Sequence, residues 1–124
     1  KRVPNVEILE FVDPKEIQKL YNRAKVVINT SVYEGYPNTL HQAAIGKAPY
    51  VSLSWDPDNY LESKGIGLGS ENDVTRMIQN LYAYLSNDLL REQDGARAYE
   101  NFKRNHDVTM VIEILKSEID SALC

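Results

Sequence analysis

The sequence predicts an α/β fold: a doubly wound parallel sheet with helices on both faces, carried by three observations. Apolar, strand-forming runs alternate with stretches whose apolar residues recur at helical spacing. Residues 26–53 read as strand, loop, helix, strand, which is the crossover unit of a parallel sheet. The first loop of that unit leaves the carboxyl end of a strand and feeds a helix, the place where open α/β sheets bind ligands.

The elements follow in order. Val6 to Val12 reads as a buried strand. Asp13 caps a helix with Pro14 at its first position and Glu16 three residues after the cap, a carboxylate version of the capping box. Ile17, Leu20, Tyr21 and Ala24 form its apolar stripe. A strand over Lys25–Asn29 comes next, then a loop, a helix from about Pro37 to Gly46, and a strand over Pro49–Leu53. Ser54 to Asn59, with two aspartates and Pro57, reads as a loop, and Gly65 to Leu68 as a short strand. Ser70 and Asp73 open a helix striped by Val74, Met77, Ile78, Leu81, Tyr82 and Leu85. Two further helices are expected over Asp88–Arg104 and Asp107–Ala122.

The loop and helix after the second strand carry the chemistry. Ser31-Val32-Tyr33-Glu34-Gly35-Tyr36-Pro37 is followed by Leu40-His41-Gln42-Ala43-Ala44-Ile45-Gly46-Lys47-Ala48-Pro49-Tyr50-Val51. This string resembles the signature of group 1 retaining glycosyltransferases of the GT-B fold, of the family 4 type: S-x-x-E-G-[FY]-[GP], then L-E-A-M-A-x-G-x-P-V-V. The resemblance continues more weakly through Asn5 to Tyr21 and at Gly65 to Leu68. It implies that residues 1–124 are a single Rossmann-like, nucleotide-sugar-binding domain, part of a longer two-domain protein. That protein would transfer a hexosyl group from a nucleoside diphosphate sugar to a glycan or lipid-linked acceptor.

By this resemblance Glu34 binds hydroxyls of the donor sugar. An ionised carboxylate suits that role, because it accepts two hydroxyl hydrogen bonds and favours positive charge on the sugar ring. Gly35, Tyr36, Pro37, Asn38 and Thr39 become the phosphate-side loop, with helix N–H groups facing the diphosphate. Asn38 reads equally as a helix N-cap, and Gly35 and Pro37 as turn formers. Gln42 stands where the family has a second glutamate, the one that holds the ribose; the amide keeps the shape and loses the charge. Phe11 and Val12 end the first strand, near the family's base site. Trp55 and Tyr60 could flank a sugar or base but read first as core or surface aromatics, and His106 as a helix-boundary histidine.

Composition closes off other classes. The chain has 43% hydrophobic and 26% charged residues, ordinary values for one globular domain. Its formal net charge of −4, with no basic run, argues against a nucleic-acid partner. His41 and His106 have no ligand spacing, so no metal and no other cofactor is expected beside the sugar-nucleotide substrate. The lone cysteine, Cys124, excludes an internal disulfide and suggests a cytoplasmic setting, with peripheral attachment to the membrane face in the full-length protein. The start at Lys1 without methionine reads as a cut from a longer chain. The resemblance places the acceptor domain, and one strand of this domain's own sheet, upstream of Lys1. An unfilled edge beside residues 25–29 is therefore expected, open to a second copy. Without the upstream part the isolated chain is expected to be inactive. Two rivals remain: a catalytically silent GT-B-like binding or assembly module, favoured by Gln42, and a receiver-type domain, for which Asp13 alone is too little.

Overall fold

Helix and strand follow the sequence punctuation closely in the computed structural model, which describes residues 3–123. Lys1, Arg2 and Cys124 lie outside the described residues. Helix α1, Pro14–Arg23, begins where expected: Asp13 accepts a hydrogen bond from the Lys15 N–H at 2.9 Å, and proline fills the first helical position. Strand β1, Val27–Asn29, leads through the loop to α2, Asn38–Ile45, and then to β2, Tyr50–Ser52. A 3₁₀ turn over Pro57–Asn59 runs into α3, Tyr60–Lys64, before β3, Gly67–Gly69. Three longer helices complete the chain: α4, Val74–Ser86; α5, Asp88–Asn105; and α6, Val108–Leu123. Asp73 caps α4 by accepting from the N–H groups of Thr75 and Arg76, so the cap is Asp73 and not Ser70.

The three strands pair in parallel in the order β1-β2-β3, with Val27 opposite Tyr50 and Tyr50 opposite Gly67. Neighbouring residues of β2 face opposite layers, as strand geometry requires. Tyr50 joins a core with Leu40, Ala43, Ala44, Leu61 and Ala98 of α2, α3 and α5 and with Trp55 and Ile66 from the connections around α3. Val51 joins Met77 and Tyr84 of α4 on the other side. Helices therefore cover both faces, the doubly wound arrangement expected. Across these layers α2 packs closely on α1: a Cβ on Gly46 would lie 2.7 Å from the Tyr21 carbonyl oxygen, so only glycine fits there.

One expected strand is corrected. Residues 6–12 form no strand, and Val6, Ile8, Leu9 and Phe11 are exposed, Phe11 by 82%. A strand is held by its ladder, and among the described residues nothing pairs with this segment. The edge expected beside residues 25–29 is present, since among the described residues β1 bonds only to β2. Next to it lies a groove of about 290 Å³ lined by Ile17, Leu20, Tyr21, Ala24, Val26 and Val27. The short helix α3 was not expected; Asp56 starts it, accepting from the Leu61 N–H at 2.8 Å. Among the described residues no helix is long and apolar enough to cross a membrane.

Candidate functional site

Asn29, the last residue of β1, organises the loop that follows it. The residue is 8% exposed. Its side-chain oxygen accepts from the Ser31 N–H at 2.7 Å, turning the chain away from the strand. Its side-chain nitrogen donates to the Glu34 carboxylate at 2.5 Å and to the Tyr50 hydroxyl at 2.7 Å. Tyr50, fully buried on β2, also shares a 2.7 Å hydrogen bond with the Thr39 hydroxyl on α2. One network thus ties together the ends of β1 and β2, the Glu34 loop and the first turn of α2. Burial pushes the Tyr50 hydroxyl pKa up, and the nearby Glu34 charge adds to this; its bonds to Thr39 and Asn29 pull the other way.

The far side of the loop rests on rings. Trp55, 8% exposed, donates its indole N–H to the Gly35 carbonyl. Tyr36 sits over His41, Trp55, Tyr60 and His106, with ring centroids 4.9 to 6.3 Å apart. His41 and His106 themselves approach to 4.7 Å, and the Tyr60 hydroxyl lies 3.4 Å from His106 Nε2. Burial lowers both imidazole pKa values, and for His41 the neighbouring His106 charge lowers it further. Burial, followed by the Tyr60 hydroxyl, pushes the Tyr36 hydroxyl far up. The loop is therefore pinned from both sides: polar contacts at Glu34 and aromatic packing at Gly35 and Tyr36.

Of the expected site residues, Glu34 and Thr39 share one hydrogen-bond network, and residues 35–38 lie between them in the chain. Glu34 is exposed, with one oxygen tied to Asn29 and the other left to accept hydroxyl hydrogen bonds. Pro37, fully buried, occupies the N-cap position of α2, and no side chain caps that helix. Asn38 is thus the first helical residue and not the cap. Since proline cannot cap through a side chain, the N–H groups of Asn38 and Thr39 remain available to an anion, while the Leu40 N–H donates to the Pro37 carbonyl at 3.1 Å. Gln42 lies half-buried on the second turn of α2; its backbone carbonyl accepts from the Gln18 side chain at 3.0 Å. Phe11 and Val12 stand apart, in the irregular segment ahead of α1. Trp55 belongs to the core, and His106 caps the end of α5, as their sequence context suggested.

Asn29 and Tyr50 were not singled out from the sequence. Asn29 closes an otherwise apolar strand run, and a polar residue at a strand's carboxyl end is the signal that was there to find. The pairing of His41 with His106 joins residues far apart in the chain and leaves no such trace. A larger cleft of about 520 Å³ opens between α3 and α5, around Lys64, Arg97 and Arg104, and contains none of the loop residues. Among the described residues, no three His, Cys, Asp or Glu side chains gather to hold a metal ion.

Comparison with known proteins identifies the family. The profile of the family described as glycosyl transferases group 1 matches residues 1–87. The chain is 28% identical over 99 residues to a poly(ribitol-phosphate) alpha-N-acetylglucosaminyltransferase of Staphylococcus aureus (strain COL). That alignment covers 77% of this chain and 20% of the relative, so the chain spans about a fifth of the relative's length. No solved structure matches. With the family profile covering well over half of its residues, the chain belongs to the group 1 glycosyltransferases.

Proposed function

We propose that this chain is the nucleotide-sugar-binding part of a retaining GT-B glycosyltransferase. The full-length protein would move a hexosyl group from a nucleoside diphosphate sugar to a glycan or lipid-linked acceptor in polysaccharide synthesis. The observation that carries the reading is the placement of Glu34. Its carboxylate is held by a buried asparagine at the carboxyl end of β1, directly ahead of the uncapped N-terminus of α2. In the proposed role Glu34 holds sugar hydroxyls, residues 35–39 receive the diphosphate, and Gln42 reaches the ribose. An anion at the start of α2 gains from unpaired N–H groups and from the helix dipole. The relative's name gives a poly(ribitol-phosphate) acceptor, which supports a polymeric acceptor here.

Charge placement yields a test. In the full-length protein, Glu34→Gln keeps the size and removes the charge. Binding of a nucleoside diphosphate sugar should weaken by about ten- to a hundredfold, the worth of a charge-assisted hydrogen bond. Free nucleoside diphosphate, which lacks the sugar, should bind nearly as before. Equal binding of the sugar nucleotide by both proteins would return Glu34 to an ordinary solvated carboxylate. The rival reading, a catalytically silent module, draws on Gln42, where the family's second carboxylate is absent. Sugar nucleotide binding without transfer to any acceptor would favour it.

A further inference from the structure

The buried hydrogen bonds behind the loop have a fixed direction, and that direction ends at Thr39. The Ser31 N–H can only donate, so the Asn29 atom it meets is the amide oxygen, and the amide nitrogen points the other way. That nitrogen has two protons, and both are committed, one to the Glu34 carboxylate and one to the Tyr50 oxygen. Tyr50 keeps its own proton, because burial raises its pKa. Thr39 is the one remaining partner of the Tyr50 hydroxyl among its hydrogen bonds, so the arrangement that leaves no buried proton unpaired has Tyr50 donating and Thr39 accepting. The Thr39 proton is then left to point elsewhere. Thr39 is half-buried in the first turn of α2, where no side chain caps the helix.

We infer that Asn29 and Tyr50 are positioning residues that make the Thr39 hydroxyl a committed donor to a phosphate oxygen of the bound nucleotide. This rests on the donor-site reading above and adds to it a direction and two residues. A free threonine hydroxyl samples three staggered positions and can either donate or accept. Here Tyr50 occupies its acceptor side, so the hydroxyl meets the ligand as a donor, the form an anion requires. The same asparagine steers the Glu34 carboxylate, so sugar and phosphate contacts are set by one buried side chain.

The test uses the full-length protein and four nucleoside diphosphates (adenosine, guanosine, uridine and thymidine), each beside its free nucleoside. Calorimetric affinities are measured for wild type, Thr39→Val, Thr39→Ser, Tyr50→Phe, and Tyr50→Phe with Thr39→Val. Thr39→Val should weaken the preferred diphosphate by about tenfold, the loss of a hydrogen bond to a charged group, and Thr39→Ser should restore most of it. Tyr50→Phe keeps the ring and frees the threonine rotor, costing up to about threefold from the three staggered wells. In the Thr39→Val background, Tyr50→Phe should cost nothing more, and nucleoside binding should be unchanged throughout. Additive losses, or parallel loss of nucleoside binding, would reduce Tyr50 to a packing role and overturn the inference. So would Tyr50→Phe binding diphosphate as tightly as wild type, with the donor-site reading left standing. Absence of diphosphate binding by the wild type would overturn that reading and the inference together.

Discussion

Glu34, Asn29 and Gln42 show how unevenly single residues declare themselves. Glu34 was legible because it stands in a string that resembles the family signature; outside that string a loop carboxylate is ordinarily a solvated one. Asn29 was not, because its importance comes from what meets it: an oxygen facing the Ser31 N–H and a nitrogen facing both Glu34 and Tyr50. Gln42 was legible as a departure from the family pattern, and it supports a prediction. Gln42→Glu in the full-length protein replaces a neutral acceptor by a charged one, worth about 1 kcal/mol more toward a hydroxyl, or about fivefold in affinity. Nucleoside diphosphate should bind that much more tightly, and a 2′,3′-dideoxy analogue should show no gain. Equal gains for both compounds would remove the ribose from Gln42.

At the scale of elements, the caps of α1 and α4 and the parallel pairing of three strands were read correctly, while Asn38 as a cap and the strand over residues 6–12 were not. Asp13 and Asp73 start α1 and α4 through contacts within three residues of themselves, so local sequence suffices. Residues 6–12 have strand composition, but a strand exists only where a ladder receives it, and composition says nothing of the partner. Helix α3 is five residues long and begins from a side chain, Asp56, so periodicity had too little length to register. Packing of α5 gives a prediction of its own. A Cβ on Gly95 would collide with the Lys47 backbone carbonyl, so Gly95→Ala should destabilise the fold by about 1–3 kcal/mol, read by chemical denaturation. An unchanged midpoint would mean that α5 sits further from the α2–β2 connection.

The joint between α5 and α6 adds a pH dependence. His41 and His106 have pKa values lowered from 6.5, chiefly by burial. The unfolded chain takes up these protons near the ordinary value, while the folded chain resists until the pH is lower. Their contribution to stability is therefore complete above about pH 6.5 and is lost as pH falls through the lowered values. Tyr36 and Tyr60 are the other titratable groups facing the pair, and burial keeps the Tyr36 hydroxyl protonated throughout. The melting temperature should fall from about pH 7 to about pH 5, and less steeply in His106→Phe. Identical slopes in both proteins would assign the acid sensitivity elsewhere.

Across the whole molecule, the sheet is open at β1. Its outer edge carries unpaired backbone, Ile28 is half exposed, and an apolar groove lies alongside. The segment ahead of α1 exposes Val6, Ile8, Leu9 and Phe11, and no strand among the described residues pairs with it. In the 124-residue chain alone, amides of residues 6–12 should exchange fast and those of Tyr50–Ser52 slowly, because β2 is bonded on both sides. Light scattering over a range of concentrations should reveal self-association through the free edge. Slow exchange in residues 6–12 would show that this segment finds a partner the described sheet lacks.

The central claim is that a sugar nucleotide lies across the carboxyl ends of β1 and β2, and one measurement addresses it directly: an experimental structure of the full-length protein with a bound nucleoside diphosphate sugar. The account predicts diphosphate density at the N-terminus of α2 within hydrogen-bond reach of the Thr39 hydroxyl, with the sugar hydroxyls on the free oxygen of Glu34. A nucleotide seated instead in the Lys64–Arg97–Arg104 cleft between α3 and α5, with the Glu34 loop empty, would contradict it.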